Sequence, residues 1–302
     1  MSEKIELVIP SRVRDLGGFQ VRRILPYATH RMVGPFIFLD HMGPQHFRTG
    51  EGMDVRPHPH IGLATVTYLF AGSILHRDSL GSHQLIEPGA INWMVAGRGI
   101  AHSERMPQEA RQHENDLHGL QCWVALPLEH EETEPSFTHH SSDSLPEFQV
   151  GDIRMKLLLG TAFGFESPVP THSDIFYVDA VMPPDSKLIL PSEGRELGIY
   201  LVDGHIQVED DEFTESNLVV GKPGEDLILK AHRHSRVILL GGKALEGPRK
   251  IWWNFVSSSE ERLEKAKRDW AEGRFPKIPG DDKEFIPLPA DAFTKNPPGT
   301  IM

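Results

Sequence analysis

Gly52-Met53-Asp54-Val55-Arg56-Pro57-His58-Pro59-His60 decides how this sequence of 302 residues is read. Two histidines stand one residue apart, each preceded by a proline. Residues i and i+2 of an extended strand share a face, with Cα atoms about 6.6–7 Å apart at the usual rise per residue. From that span two imidazoles can converge on one ion. Pro57 and Pro59 fix φ and remove two backbone donors, so the segment is expected at a strand edge or strand entry. A stiff backbone also loses little entropy when its side chains are held for coordination. A second pair follows in Gly97-Arg98-Gly99-Ile100-Ala101-His102-Ser103-Glu104, where a histidine and a carboxylate repeat the spacing. Three imidazoles and one carboxylate, presented as two same-face pairs, make His58, His60, His102 and Glu104 a candidate site for one divalent metal.

Outward from these pairs the chain reads as all-β. Phe19–Leu25, Phe36–Asp40, Leu63–Phe70, Ser73–Asp78, Ile91–Ala96 and Leu117–Leu126 are short, apolar or β-branched runs cut by Gly and Pro, with no helix between them. That pattern predicts an antiparallel sandwich or barrel. Residues 131–146, rich in Glu, Ser, His and Pro, are expected as a linker between a domain over 1–130 and a second β-rich domain over 147–302. In the second domain Asp203-Gly204 predicts a primed-turn hairpin. Ser258 with Glu261 fits a capping box, Leu263, Ala266 and Trp270 recur at helical spacing, and Gly273 is a stop, so a helix is expected over about 258–272. The tail from Pro276, with Pro279, Pro287, Pro289, Pro297 and Pro298, is expected to be irregular. Gly204 and Gly72 correspond at an offset of 204 − 72 = 132, which carries His58 and His60 onto Leu190 and Ser192. If the halves are duplicates, the second has lost its ligand pair.

Composition narrows the function. A formal net charge of −12 argues against nucleic acid as a partner, because phosphate binding needs a basic surface. The single cysteine, Cys122, excludes an intrachain disulfide. The N-terminus lacks an apolar signal core, and no apolar run approaches the roughly 20 residues of a membrane span. A cytoplasmic protein without membrane contact is the expectation.

The first half resembles the cupin pattern G-x5-H-x-H-x(3,4)-E-x6-G. Gly52, His58, His60 and Gly72 fall in register, but Thr65 stands where the glutamate belongs. In the second motif Gly97 replaces a proline, Gly99 and His102 keep their places, and Met106 replaces an asparagine. The carboxylate reappears as Glu104, a relocation typical of pirins, the two-domain branch of the cupins. Val21-Arg22-Arg23, Gly34 through Pro44, Arg56 through Gly62 and Ala96 through Glu104 all look like pirin segments.

That resemblance implies a tandem pair of cupin-type domains, with the metal on His58, His60, His102 and Glu104 of the first. It implies one metal ion per chain, with Fe(II) favoured over Zn, Mn, Ni or Cu. Four ligands on an octahedral ion leave two positions open, whereas four on tetrahedral zinc would fill it, and the residues alone do not separate these cases. It further implies a dioxygenase that cleaves a flavonol such as quercetin with O2, with Glu104 as a candidate proton acceptor; Thr65 is either strand filler or a residue lining the pocket where a ligand was lost. The alternative is a metal-dependent regulatory protein with a protein partner. His76, His113 and His118 lack paired spacing and read as surface or core residues. His232 and His234 are paired but show no partner pair, and read as non-ligands.

Overall fold

A computed structural model describes residues 2–16, 18–214 and 216–293. Pro297 and Pro298 lie outside that range. The chain is all-β, with antiparallel sheets and, among the described residues, one α-helix. Two compact units are present, and they interleave along the sequence. One comprises residues 1–13, 22–40 and 140–245, and the other residues 14–21, 41–139 and 246–302. The N-terminal strand Ile5–Pro10 belongs with the later strands because it pairs with Asn217–Gly221. Residues 131–146, expected as a linker, contain the strand Ser136–His140 and a 3-10 turn at Ser142–Ser144.

Each unit contains the same four-stranded sheet. In one the order is Asp54–His60, Ile100–Arg105, Ile74–Asp78, His83–Ile86; in the other it is Lys187–Leu190, Leu227–Ala231, Ile206–Val208, Asp211–Phe213. Asp54–His60 is an edge strand, as its prolines require. In the second unit the inward faces carry Leu188, Leu190, Ile206, Val208, Leu227, Leu229 and Ala231, all buried in one apolar core. Leucine therefore stands where the offset of 132 placed the first histidine, and the second unit has a filled interior.

Two sequence expectations change in detail. Asp203-Gly204 is a corner between sheets rather than a hairpin: Glu196–Asp203 pairs with Asn217–Gly221 and Ser235–Gly242, while Ile206–Val208 pairs with Asp211–Phe213 and Leu227–Ala231. Gly204 (φ +120°) is needed there because a Cβ would come within 2.2 Å of Ser235 Oγ. The helix runs Glu260–Ala271, and its N-cap is Ser259, which accepts from Arg262 N. Ser258 is unavailable as a cap because its hydroxyl donates to Glu131 Oε2 at 2.7 Å. Gly273 ends the helix in the left-handed region (φ +68°), with Arg274 N donating to Asp269 O.

Glu131 also anchors the segment that leads into the helix. Its Oε1 lies 2.7 Å from Nε of Arg249, a side chain with 0% exposure, and Arg249 donates to the Leu126 carbonyl as well. Removing one partner of a buried pair leaves an uncompensated charge. Arg249→Met should therefore lower unfolding stability by about 3–5 kcal/mol, measured by urea denaturation; a change below about 1 kcal/mol would place the pair in the weak surface class.

Candidate metal centre

Antiparallel register brings the two sequence pairs together. Ile100 lies opposite His60, Ala101 opposite Pro59 and His102 opposite His58, so the three histidines share one face. Past His102 the register slips, and Glu104 lies opposite Val55. Such a bulge suits Pro57, which has no N–H to give the ladder. The next strand continues the face, with Asp78 opposite His102 and His76 opposite Glu104.

The three imidazoles are buried, and one nitrogen from each lies within 4.8 Å of the others. His58 Nδ1 donates to the Arg56 carbonyl at 2.9 Å, and His60 Nδ1 to the Asn254 carbonyl at 3.0 Å. An N–H on Nδ1 leaves the Nε2 lone pair for a ligand. His60 Nε2 and His102 Nε2 are 3.1 Å apart. Two lone pairs at that distance repel unless a proton or a cation lies between them. The distance is close to the roughly 3.0–3.5 Å edge between two ligand atoms that each bind an ion at about 2.0–2.2 Å. His102 Nδ1 is buried without a hydrogen-bond partner among the described residues. This donor set fits a metal ion that takes imidazole nitrogen.

Electrostatics favour the same state. Burial lowers His58 to about 4, against the opposing effect of the Arg56 carbonyl. Burial, then the neighbouring imidazoles, holds His60 and His102 well below the usual histidine range. All three rings are therefore neutral at pH 7, as coordination requires.

Glu104 is buried on the same face but stands apart from the three-histidine cluster. Burial raises its pKa, with His76 and the Thr67 hydroxyl acting in the opposite sense. Thr67 Oγ1 lies 3.1 Å from Glu104 Oε1 and 2.9 Å from Gln121 Oε1. One hydroxyl proton cannot serve two acceptors. Turning the Gln121 amide so that its nitrogen donates to Thr67 resolves this, and Thr67 then donates to Glu104. Thr65, two residues earlier on the same strand face, is buried across from Trp123.

Several residues of this face carried no recognisable signal in the sequence. His76, expected in a surface or core role, is buried beside His102 (ring centroids 5.3 Å apart) and stacked on Phe137. Its Nε2 donates to Asp78 Oδ2 at 3.0 Å. Burial pushes Asp78 up, but the His76 and Ser82 hydrogen bonds outweigh it and the net shift is down. Trp123 meets His60 edge to face at 5.0 Å. Asn254 reaches His60 from a two-residue turn between Lys250–Trp252 and Phe255–Ser257, in which Trp253 adopts φ +51°. A bulky residue in the left-handed region persists only where its surroundings fix it, and Trp253 is fully buried with Ile61, Phe255 and Leu263.

Comparison with known proteins matches two domains in tandem along the chain. The pirin family model matches residues 18–124, and the model of the pirin C-terminal cupin domain matches residues 177–276. A pirin-like protein of Caulobacter vibrioides is 51% identical over 94% of this chain and 99% of its own length. Human pirin is 30% identical over 89% of this chain and 92% of its own. A quercetin 2,3-dioxygenase of Acinetobacter baumannii with a crystal structure is 36% identical, covers 94% of both chains and superposes with a TM-score of 0.87. With both of its β-domains matched in order, and relatives aligned along nearly the whole length, this chain belongs to the pirin family of the cupin superfamily.

Proposed function

We propose that this pirin is a mononuclear, metal-dependent dioxygenase of the quercetin 2,3-dioxygenase type, holding Fe(II) on His58, His60, His102 and Glu104 and cleaving a flavonol or similar enol with O2. The observation that carries the reading is the convergence of three buried, neutral imidazoles, with the buried carboxylate of Glu104 further along the same face. The likeness to the Acinetobacter baumannii quercetin 2,3-dioxygenase supports it.

A bound divalent iron would supply Lewis acidity toward an enol hydroxyl and the one-electron chemistry that O2 requires. The protein's own part is to hold, orient and exclude. The Arg56 and Asn254 carbonyls fix the tautomers of His58 and His60, and Trp123 fixes the plane of His60. Thr67 holds one oxygen of Glu104, which leaves the other for the ion and, when it loosens from the ion, for the proton of a substrate hydroxyl. His76, stacked on Phe137, walls the face behind His102. Thr65, buried opposite Trp123, would line the substrate pocket.

Iron-loaded protein should consume O2 with quercetin and release carbon monoxide. His58→Ala or His102→Ala should lose the bound ion and at least about 100-fold in turnover, since even outer partners of metal ligands are worth about 10–100-fold. Iron-loaded protein that consumes no O2 with any flavonol or enol would contradict the reading. A pH effect follows for the metal-free protein. The folded-state histidine pKa values lie below the unfolded value of about 6.5, so the unfolded chain binds protons first. Stability should be level above about pH 6.5 and fall as pH drops from there toward about 4. Denaturant midpoints at pH 7.5 and 5 check this, and equal midpoints would contradict it.

A further inference from the structure

We propose that the C-terminal unit carries a second, solvent-accessible site for a borderline divalent metal ion such as Zn(II), Co(II), Ni(II) or Cu(II), formed by His205, Glu212 and His232. The site follows from strand alternation. Ile206 pairs with Ala231, so His205 and His232 meet one step further along, where His232 N donates to His205 O at 2.9 Å. Gln207 pairs with Glu212, which puts Glu212 on the face of Gln207 and hence of His205. The opposite face holds Ile206, Val208, Phe213, Leu229 and Ala231 in the core. The period of two that buries these apolar side chains turns both imidazoles and the carboxylate outward together.

Their donor atoms lie within 4.8 Å of one another. Glu212 Oε2 is 2.5 Å from His205 Nε2, and Oε1 is 3.0 Å from His232 Nε2. The 3.0 Å span matches the roughly 3.0–3.5 Å edge set by metal–ligand bonds of about 2.0–2.2 Å. The 2.5 Å span is a hydrogen bond from the His205 ring that an ion would replace as the side chains rotate apart by about 0.5–1 Å. The carboxylate alone does not satisfy both rings. His232 Nε2 is buried and, despite its 3.0 Å approach to Glu212, is off the line of a hydrogen bond. The nearby cations are engaged elsewhere: Lys230 leans toward Asp185 at 3.8 Å, and Arg233 donates to the Gly204 carbonyl.

Two imidazoles and one carboxylate select borderline transition ions over Mg(II) or Ca(II), which prefer oxygen throughout. Three protein ligands leave coordination positions for water. Side-chain exposures of 35% for His205, 29% for His232 and 52% for Glu212 leave the ion free to exchange. The pairing of His232 with His234 in sequence concealed this arrangement, because the partners of His232 come from the residue preceding Ile206–Val208 and from the strand Asp211–Phe213, and His234 takes no part in the cluster.

Chelator-stripped full-length protein titrated with Zn(II) at micromolar concentration, against a competing chelator, tests the proposal. Wild type should bind two equivalents, and His205→Ala/His232→Ala should bind one. His205→Gln/His232→Gln should behave likewise, with an unchanged melting temperature, which separates lost binding from lost folding. In the NMR spectrum of wild type, Cu(II) should broaden amides near 205, 212 and 232 that it leaves sharp in the double variants. Equal stoichiometry in wild type and both variants, or uptake at 205–232 only at millimolar metal, would overturn the proposal. Failure at the histidine-rich face of the other unit would look different: wild type would bind one equivalent and the double variants none.

Discussion

Everything in the functional half of this pirin depends on one constraint: three imidazole nitrogens must meet inside the protein with their lone pairs facing one another. His60 Nε2 and His102 Nε2 approach to 3.1 Å, and the His58 ring packs on His102 with centroids 4.3 Å apart. Leaving a buried polar group unmatched costs about 1–3 kcal/mol, so the two nitrogens need a proton or a cation between them. The surroundings enforce it through the far side of each ring. The Arg56 carbonyl, the Asn254 carbonyl and the edge of Trp123 set the tautomers and planes of His58 and His60 before any ion arrives.

The duplicated unit provides an internal control on that constraint. Its four-stranded sheet repeats the order found around the histidines, yet its inward positions are leucine, isoleucine, valine and alanine. The same scaffold closes over an apolar core in one unit and over three neutral imidazoles in the other. The fold is therefore not what makes the centre; a few inward positions are. In the second unit the polar donors sit on the outward face, at His205, Glu212 and His232.

The sequence discloses most of the inward histidines, because their chemistry is local. Alternation with a period of two puts His58 with His60 and His102 with Glu104 on shared faces, and the two prolines mark an edge strand that can bulge. The rest of the face is assembled from long-range pairings that spacing does not encode. His76 and Asp78 enter through register with His102 and Glu104, Thr67 through its reach to Glu104 and Gln121, and Asn254 from a strained turn near the end of the chain. The Asp203-Gly204 signal fails for a related reason: the turn residues are right, but the flanking strands belong to different sheets. The helix cap moved by one residue because Glu131, from a polar stretch expected as a linker, takes the hydroxyl of Ser258.

The central claim is that His58, His60 and His102 share one ion. X-ray absorption at the iron edge of protein loaded with one equivalent of Fe(II) tests it most directly, with His102→Ala as the comparison. The account predicts multiple scattering from three imidazoles in the wild type and a loss of one imidazole, or of the iron itself, in the variant. A wild-type spectrum fitted by one imidazole or none, or one that His102→Ala leaves unchanged, would contradict it.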